Sequence, residues 1–486
     1  MSIRSYGQAM GWLAERDPDG VAVVHQDRRL SRAQLERRSN RLARAYRELG
    51  VGAGDLVTLA LPNGSEFIEA CLASWKLGAT PQPISSRLPE LERRAIVELA
   101  RPALVVGAPA GEYGDRPVLP AGFEADPALP DSTLPDVTSK QVRAMTSGGS
   151  TGRPKLILDL TPAQCDPEQA ENGMQPDGTT LVPGPLYHAG PFITAWQQLL
   201  CGGTVVVMTR FDALLSLELI EKHRVDWVLF VPTMMQRIWH LPEAERLRFD
   251  LSSLRRVMCT GAPSPAWLKR AWIGWLGPEK IYEAYGGTER IAGTLSSGTE
   301  WLERPGSVGR PTGGRRIRIQ RPDGSECAPR EVGEVFMLPP GGRGSTYRYV
   351  GAEATASADG WESLGDMGWL DEDGYLYLVD RKADMMLVGG ANVYPAEVEA
   401  ALDAHPAVRS SAVFGLPDDD LGSRIHALVD APAPVSEQAL REHLAQHLVP
   451  YKIPKSFEFV SEPLRDDAGK VRRSALRAAR LEKERS

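Results

Sequence analysis

The chain alternates short apolar runs with longer amphipathic ones. Residues 56–62 (LVTLALP) and 103–107 (ALVVG) form compact apolar runs, which predict buried strands. Between them, 66–79 (EFIEACLASWKLGA) repeats its apolar positions at helical spacing and closes on a glycine. The alternation resumes between 180 and 290. There, 204–208, 226–231 and 254–260 predict strands, and 214–223 and 265–276 predict helices. Strands alternating with helices imply a mainly parallel sheet covered on its faces. From about 305 the pattern becomes β-rich, with alternating runs and turn signals (GRRIRIQRPDG, VGEVFML). After Arg381 it changes again. AEVEAALDA predicts a helix, SAVFGL and IHALVDA predict strands, and SEQALREHLAQHL sets Leu440, Leu444 and Leu448 on one helical face behind a Ser436 N-cap.

These patterns give an α/β fold in two domains. Residues 1–380 form a large N-terminal domain with mainly parallel sheets, flanking helices and a β-rich subdomain. Residues 381–486 form a small α+β C-terminal domain. The stretch 110–140, rich in Pro, Gly and Asp, reads as surface loop or linker.

Net charge over the 486 residues is −7, which argues against a broad nucleic-acid footprint. Five scattered cysteines without a CxxC pair suit a reducing compartment. The N-terminus has no signal-peptide core, and no apolar run is long enough to span a bilayer, so a cytoplasmic protein is expected.

The chemistry concentrates in TSGGSTGRPKL, residues 146–156. Gly148, Gly149 and Gly152 let the backbone approach a ligand and aim N–H groups at it. Ser147, Ser150 and Thr151 add hydroxyls, and Lys155 adds a charge. Such a loop suits phosphate oxygens. It is not the GxxxxGK[ST] loop of P-loop NTPases, because Arg153 and Pro154 separate Gly152 from Lys155. Four further stretches carry reactive groups. YEAYGGTER (282–290) offers Tyr285 to stack on a base, then Gly286, Thr288 and Glu289, whose carboxylate suits Mg²⁺. GDMGWLDEDGYLYLVDRKAD (365–384) supplies Asp366, suited to a ribose diol, and Arg381. VGGANVYPAEVE (388–399) is a glycine turn into a helix, and PLRDDAGKVRRSAL (463–476) presents Lys470 in a turn.

In order and spacing these five motifs resemble the adenylate-forming superfamily of acyl-CoA synthetases, carrier-loading adenylation domains and luciferases. GPLYHAGPF (184–192) is most similar to its acyl-CoA synthetase branch, with a local likeness to bile-acid- and fatty-acid-type bacterial CoA ligases. The resemblance implies ATP, Mg²⁺ and coenzyme A as reactants. A carboxylate would attack the α-phosphorus of ATP to give acyl-AMP and pyrophosphate, and a thiol would then displace AMP. It implies that 147–155 grips the β- and γ-phosphates, and that Thr260, Gly261, Ala262 and Pro263 line the adenine site beside Tyr285. Thr288 would touch the α-phosphate, Glu289 hold Mg²⁺, and Asp366 and Arg381 bind ribose. Lys470, on a mobile C-terminal domain, would serve the first step only. Gly389 and Gly390 would admit the pantetheine arm, and His188 would stand beside the acyl site.

The chain departs from the family pattern at Leu156, where glycine is common, and at the hinge, where Ala383 replaces Asp or Lys. Ala189 stands where amino-acid-activating relatives place Asp, and no acidic residue occurs between Pro183 and Thr209. An unpaired buried ammonium is costly, so an amino-acid substrate is not expected. Phe192, Trp196, Met234, Met235, Gly286, Gly287, Ile291 and Ala292 are the candidates for an apolar pocket that would take a fatty, aryl or cyclic acid. The competing expectations are an acyl-AMP ligase that loads a separate carrier protein and, of another class, a non-catalytic nucleotide-binding protein. The reading allows a homodimer.

Overall fold

The computed structural model describes residues 3–109, 111–148, 154–388, 391–418, 421–466 and 469–485. One sheet of fourteen strands runs through the large part of the molecule. Val21–His25, Thr204–Val207, Thr179–Val182, Trp227–Phe230, Arg256–Cys259 and Ile281–Gly286 lie side by side in that order, each parallel to the next. Ile281–Gly286 is the turning point. Its other neighbour, Gly293–Ser297, is antiparallel. The sheet then continues through Ser307–Pro311, Leu376–Arg381, Glu362–Leu370, Gly333–Leu338 and Arg316–Gln320, all antiparallel. The β-rich stretch expected after residue 305 therefore extends the parallel sheet. A smaller parallel sheet joins Thr80–Pro83, Leu56–Leu59, Leu104–Val106 and Val118–Leu119. A third, antiparallel sheet holds Arg143–Gly148, Pro154–Asp159 and Tyr347–Val350.

Helix Arg32–Glu48 starts from a capping box made by Ser31 and Gln34. It packs on helix Ser65–Lys76, where the buried ammonium of Lys76 lies 2.7 Å from Glu36 Oε2. Trp75, from the second helix, anchors the largest core cluster, with its ring 4.5 Å from Trp196 and 6.0 Å from Phe192. These and the other non-glycine pocket candidates are packed among apolar side chains. Phe192 and Trp196 are core, Met234 and Met235 lie in a second core with Phe230 and Trp272, and Ile291 and Ala292 pack against Ile157 and Val308. Helical spacing identifies an apolar face but does not say whether that face meets side chains or a cavity.

The stretch 110–140 is irregular apart from one short strand, as expected, but it is tied down. Asn40 Nδ2 donates to Asp131 O at 2.8 Å and Arg41 Nη2 reaches Asp131 Oδ2 at 2.7 Å, so it straps the outside of Arg32–Glu48.

Leu376–Arg381 ends the chain's part in the large sheet. Beyond it a hairpin, Met386–Val388 with Ala391–Val393, leads into helix Pro395–Asp403. Strands Ser410–Asp418, Gly422–Asp430 and Ser456–Val460 make a further sheet. These elements share their own core around Val393, Val398, Leu402, Val413 and Ala427. Ser436 caps helix Glu437–Ala445, accepting from the Ala439 amide. Leu440 and Leu444 are fully buried, and Leu448, just past the helix, packs on the same core. All five cysteines are free. Among the described residues no helix is long and apolar enough to cross a membrane.

Candidate active site

The cleft is built at the carboxyl ends of the parallel strands, next to the point where the sheet turns antiparallel, a common place for a ligand crevice in α/β sheets. After strand Arg256–Cys259 the chain turns through Thr260, Gly261, Ala262 and Pro263. Thr260 Oγ1 donates to Ala284 O at 2.7 Å, which fixes this turn to the neighbouring strand. Gly261 takes φ +92°, a conformation that favours glycine. Tyr285 and Gly286 end that neighbouring strand, and the Tyr285 hydroxyl donates to Asp366 Oδ2 at 2.7 Å. Arg381 Nε lies 2.8 Å from Asp366 Oδ1, and the two residues are cross-strand partners. Asp366 is thus held from both sides. Burial raises its pKa, against Arg381 and the tyrosine hydrogen bond. Burial, then Asp366, also raises the Tyr285 phenol well above its usual value, so it stays a donor.

Lys155 lies on the third sheet, where it pairs with Ser147 across the hairpin as Pro154 does with Gly148. Gly149, Ser150, Thr151 and Gly152 lie outside the described residues, as do Gly389 and Gly390. The Lys155 ammonium sits 3.7 Å from Glu289 Oε1 and 4.0 Å from the centre of the Tyr349 ring. Burial lowers the Lys155 pKa, Glu289 opposes the shift and Arg381 adds to it. Glu289 is buried, at 7% exposure. Its Oε1 accepts from the Tyr349 hydroxyl at 2.5 Å, and its main-chain carbonyl accepts from Thr346 Oγ1 at 2.9 Å. Thr288, beside it, is half-buried. Among the described residues no group of three or more His, Cys, Asp or Glu converges to form a protein-only metal cage. The buried Glu289 carboxylate supplies a hard oxygen ligand that suits Mg²⁺, which is commonly bound through one or two carboxylates, with phosphates and water completing the octahedron.

His188 is the N-cap residue of helix Ala189–Leu200. The buried Arg143 donates to Ala189 O at 3.2 Å and pairs with Asp159 at 3.1 Å, which anchors this helix start. Burial drives the His188 pKa down to about 4, with Lys470 pushing the same way and Asp466 opposing. Lys470 is therefore near enough to His188 to act on its charge. It lies at the cleft mouth, solvent-accessible, yet the surrounding walls lower its pKa. Asp466 opposes that shift, Arg381 adds to it and Glu289 opposes it. The Lys470 turn is closed by Asp466, which accepts from the Lys470 amide at 2.9 Å. It packs on helix Pro232–Trp239, for a Cβ at Gly469 would stand 2.6 Å from Thr233 Oγ1.

The structure thus brings Lys155, Glu289, Tyr285, Asp366, Arg381, His188 and Lys470 to one cleft. Three groups that the motifs did not single out support them. Tyr349 and Thr346 hold Glu289. Glu399 accepts from Arg465 at 3.2 Å and from Arg473 at 2.8 Å, clamping both flanks of the Lys470 turn, while Arg473 also reaches Asp384 at 2.9 Å. The doubled tyrosines of YRY (347–349) were the only signal of the first pair.

Comparison with known proteins agrees with this geometry. The model of the AMP-binding enzyme family matches residues 11–342, and that of the AMP-binding enzyme C-terminal domain matches 397–470. A feruloyl-CoA synthase from Amycolatopsis sp is 35% identical over 482 residues, covering 96% of each chain. A 2-succinylbenzoate–CoA ligase from Bacillus licheniformis is 31% identical over 96% of this chain and 98% of its own. The o-succinylbenzoate CoA synthetase of Bacillus subtilis, in complex with its acyl-adenylate intermediate, superimposes with a TM-score of 0.82 at 26% identity, covering 98% of both chains. The same synthetase in complex with ATP and magnesium gives a TM-score of 0.81 at 26% identity over 98% of this chain and all of that one. With family models covering both parts of the chain and a relative 35% identical along nearly its whole length, this chain belongs to the AMP-binding enzyme family.

Proposed function

We propose that this protein is an ATP-dependent carboxylic acid–CoA ligase acting on an aryl or cyclic acid. The observation that carries the reading is that the Lys470 turn, from the far end of the chain, packs beside the Thr260–Pro263 turn, since a Cβ built on Gly469 or on Gly261 would stand 3.3 Å from the same Val231 side chain. A carboxylate and a triphosphate repel each other, so the first step needs cations that hold them in line. Lys470 is placed to neutralise charge building between the acid and the α-phosphorus. Lys155 would take the outer phosphates, and the Tyr285–Asp366–Arg381 set the nucleoside. Mg²⁺, when bound at Glu289, would screen the phosphate oxygens. The acid's oxygen bonds to the α-phosphorus as pyrophosphate leaves. A CoA thiolate then attacks the acyl carbon and AMP departs. His188, neutral over the working range, adds no positive charge beside Lys470 and can accept or donate a hydrogen bond to the acid.

In this reading the acid lies near Gly190, in the first turn of the helix that His188 caps. The three atoms nearest a Cβ built on Gly190 are Leu229 Cδ1 at 3.4 Å, Leu229 Cδ2 at 3.8 Å and Thr260 Cγ2 at 4.0 Å. Leu229 belongs to an apolar patch with Met258 and the partly buried Ala284 and Leu295, which suits a flat ring. The likeness to feruloyl- and succinylbenzoate-activating enzymes supports an aryl acid over a fatty one. In the same reading, residues 381–486 are a mobile domain turning about Ala383, the acceptor is free CoA and the protein is cytoplasmic.

The test is a panel of aryl, cyclic and fatty acids with ATP and Mg²⁺, with and without CoA, reading pyrophosphate, AMP and thioester beside Lys470→Ala. Thioester with stoichiometric AMP, lost in the variant, is expected. Acyl-AMP without thioester would move the reading to carrier loading. ADP release, or full activity in Lys470→Ala, would overturn it.

A further inference from the structure

Tyr349 is not part of any motif that points to nucleotide chemistry, yet it touches two groups that do. Its hydroxyl donates to Glu289 Oε1 at 2.5 Å, and its ring lies 4.0 Å beneath the Lys155 ammonium. The ring is itself held. It stacks edge-on against Tyr347 with centroids 4.8 Å apart, and Tyr347 donates to Glu362 at 3.1 Å. The strand that carries both tyrosines pairs with the strand following the phosphate loop, Tyr349 opposite Ile157 and Val350 opposite Leu156. One residue before this strand, Thr346 grips the Glu289 backbone at 2.9 Å.

We propose that Tyr349 is a positioning residue that orients the Glu289 carboxylate for a divalent cation and spaces it from Lys155. The inference rests on the reading that Glu289 is the metal carboxylate. With Oε1 engaged by the phenol and facing the ammonium, Oε2 is the oxygen presented to the cation. Without the hydroxyl, the Lys155 ammonium at 3.7 Å still draws on Oε1, and the carboxylate is free to turn towards it. A full lysine–glutamate contact would occupy both the metal ligand and the phosphate cation at once. Hydrogen-bonding partners of metal ligands commonly matter about 10- to 100-fold in metal affinity. The tyrosine ring also serves Lys155 directly, because an ammonium is attracted to the face of an aromatic ring.

Two variants separate these roles. Tyr349→Phe keeps the ring and removes one oxygen, while Tyr349→Leu removes both functions. The probe is Mn²⁺, followed by electron paramagnetic resonance with the α,β-methylene analogue of ATP bound, beside metal-free binding of a fluorescent ATP in EDTA. Tyr349→Phe is expected to weaken Mn²⁺ by about tenfold or more and to leave metal-free ATP binding unchanged. Tyr349→Leu is expected to weaken both. Raising Mg²⁺ should restore pyrophosphate release in Tyr349→Phe, with kcat near the unmodified protein's. Glu289→Gln is the reference. If it leaves Mn²⁺ binding unchanged, the metal assignment of Glu289 fails. If it weakens Mn²⁺ while Tyr349→Phe binds like wild type, the positioning role is overturned and Glu289 keeps its assignment.

Discussion

Gly469 and Thr233 are 236 positions apart in the chain and lie in contact, the threonine Oγ1 only 2.6 Å from where a Cβ on the glycine would stand. Gly469 also holds φ +75°, which a side chain rarely tolerates. Both facts concern the residue just before Lys470. Gly469→Ala should therefore push the Lys470 turn off helix Pro232–Trp239. The expected result is a loss of acyl-AMP formation approaching that of Lys470→Ala, on the order of 10²-fold for an electrostatic contact in a transition state. Thioester formation from supplied acyl-AMP should persist. Separate assays of the two half-reactions check this.

Asp366 offers one oxygen to Tyr285 and the other to Arg381. Asp366→Asn keeps the shape but removes the charge that both donors answer. Hydrogen bonds to charged groups contribute about 1.5–3 kcal/mol. The KM for ATP is expected to rise by about 10- to 100-fold with a smaller change in kcat, read from initial rates.

The depressed pKa of His188, about 4 against an unfolded value of 6.5, sets a pH signature. Its neutral form is favoured by folding, so its contribution to stability is present above pH 6.5 and is lost as the pH falls towards 4. A His188→Gln variant lacks this term. The melting temperature of wild type should fall more steeply than that of the variant between those limits, and the two slopes should coincide above neutrality. Acyl-AMP formation should show no inflection from His188 between about pH 6 and 8.

Glu399 is buried beneath two arginines and also accepts the Val413 amide at 2.9 Å. Glu399→Ala would take the shared carboxylate from both guanidinium groups, leaving Arg473 with Asp384 at 2.9 Å and Arg465 with Asp403 at 4.0 Å. Removing one partner of a buried ionic set costs about 3–5 kcal/mol, and Arg465 and Arg473 are each mostly buried. Urea unfolding should lose that much stability, with the loss confined to elements packed around Val398 and Leu402. Glu399→Gln should retain part of it.

The sequence made half of this cleft legible, and the reason is spacing. Lys155, Tyr285, Glu289 and Arg381 each stand at a strand end or turn, and Asp366 interrupts a strand between two glycine-flanked runs, so each reactive side chain breaks an apolar run and can be noticed. Tyr349 and Thr346 escaped because their meaning arises only across the pairing of Tyr347–Val350 with Pro154–Asp159, residues nearly two hundred positions apart. Glu399 escaped for a related reason, since inside AEVEAALDA it looks like one more solvated helix carboxylate. Phe192 and Trp196 pack on Trp75, and their sequence could not distinguish core from pocket, because an apolar stripe near His188 looks the same in both.

In the proposed reading the two ends of the nucleotide site stand on different sheets. Tyr285, Asp366 and Arg381 belong to the fourteen-stranded one, with Thr260 in the turn after one of its strands, and Lys155 and Tyr349 belong to the small antiparallel one. Among the described residues no strand pairing joins those sheets. Besides the bonds from Thr346 and Tyr349 to Glu289, they share an apolar cluster that includes Ile157, Tyr347, Ile291, Val308 and Leu376. In that reading the apolar layer is a ruler that would set the span between sugar and terminal phosphate. Shaving a methyl from Ile157 or Val308 would leave every polar contact in place and still mis-set the gauge, so that a short nucleotide such as AMP fits as before while ATP no longer reaches both ends.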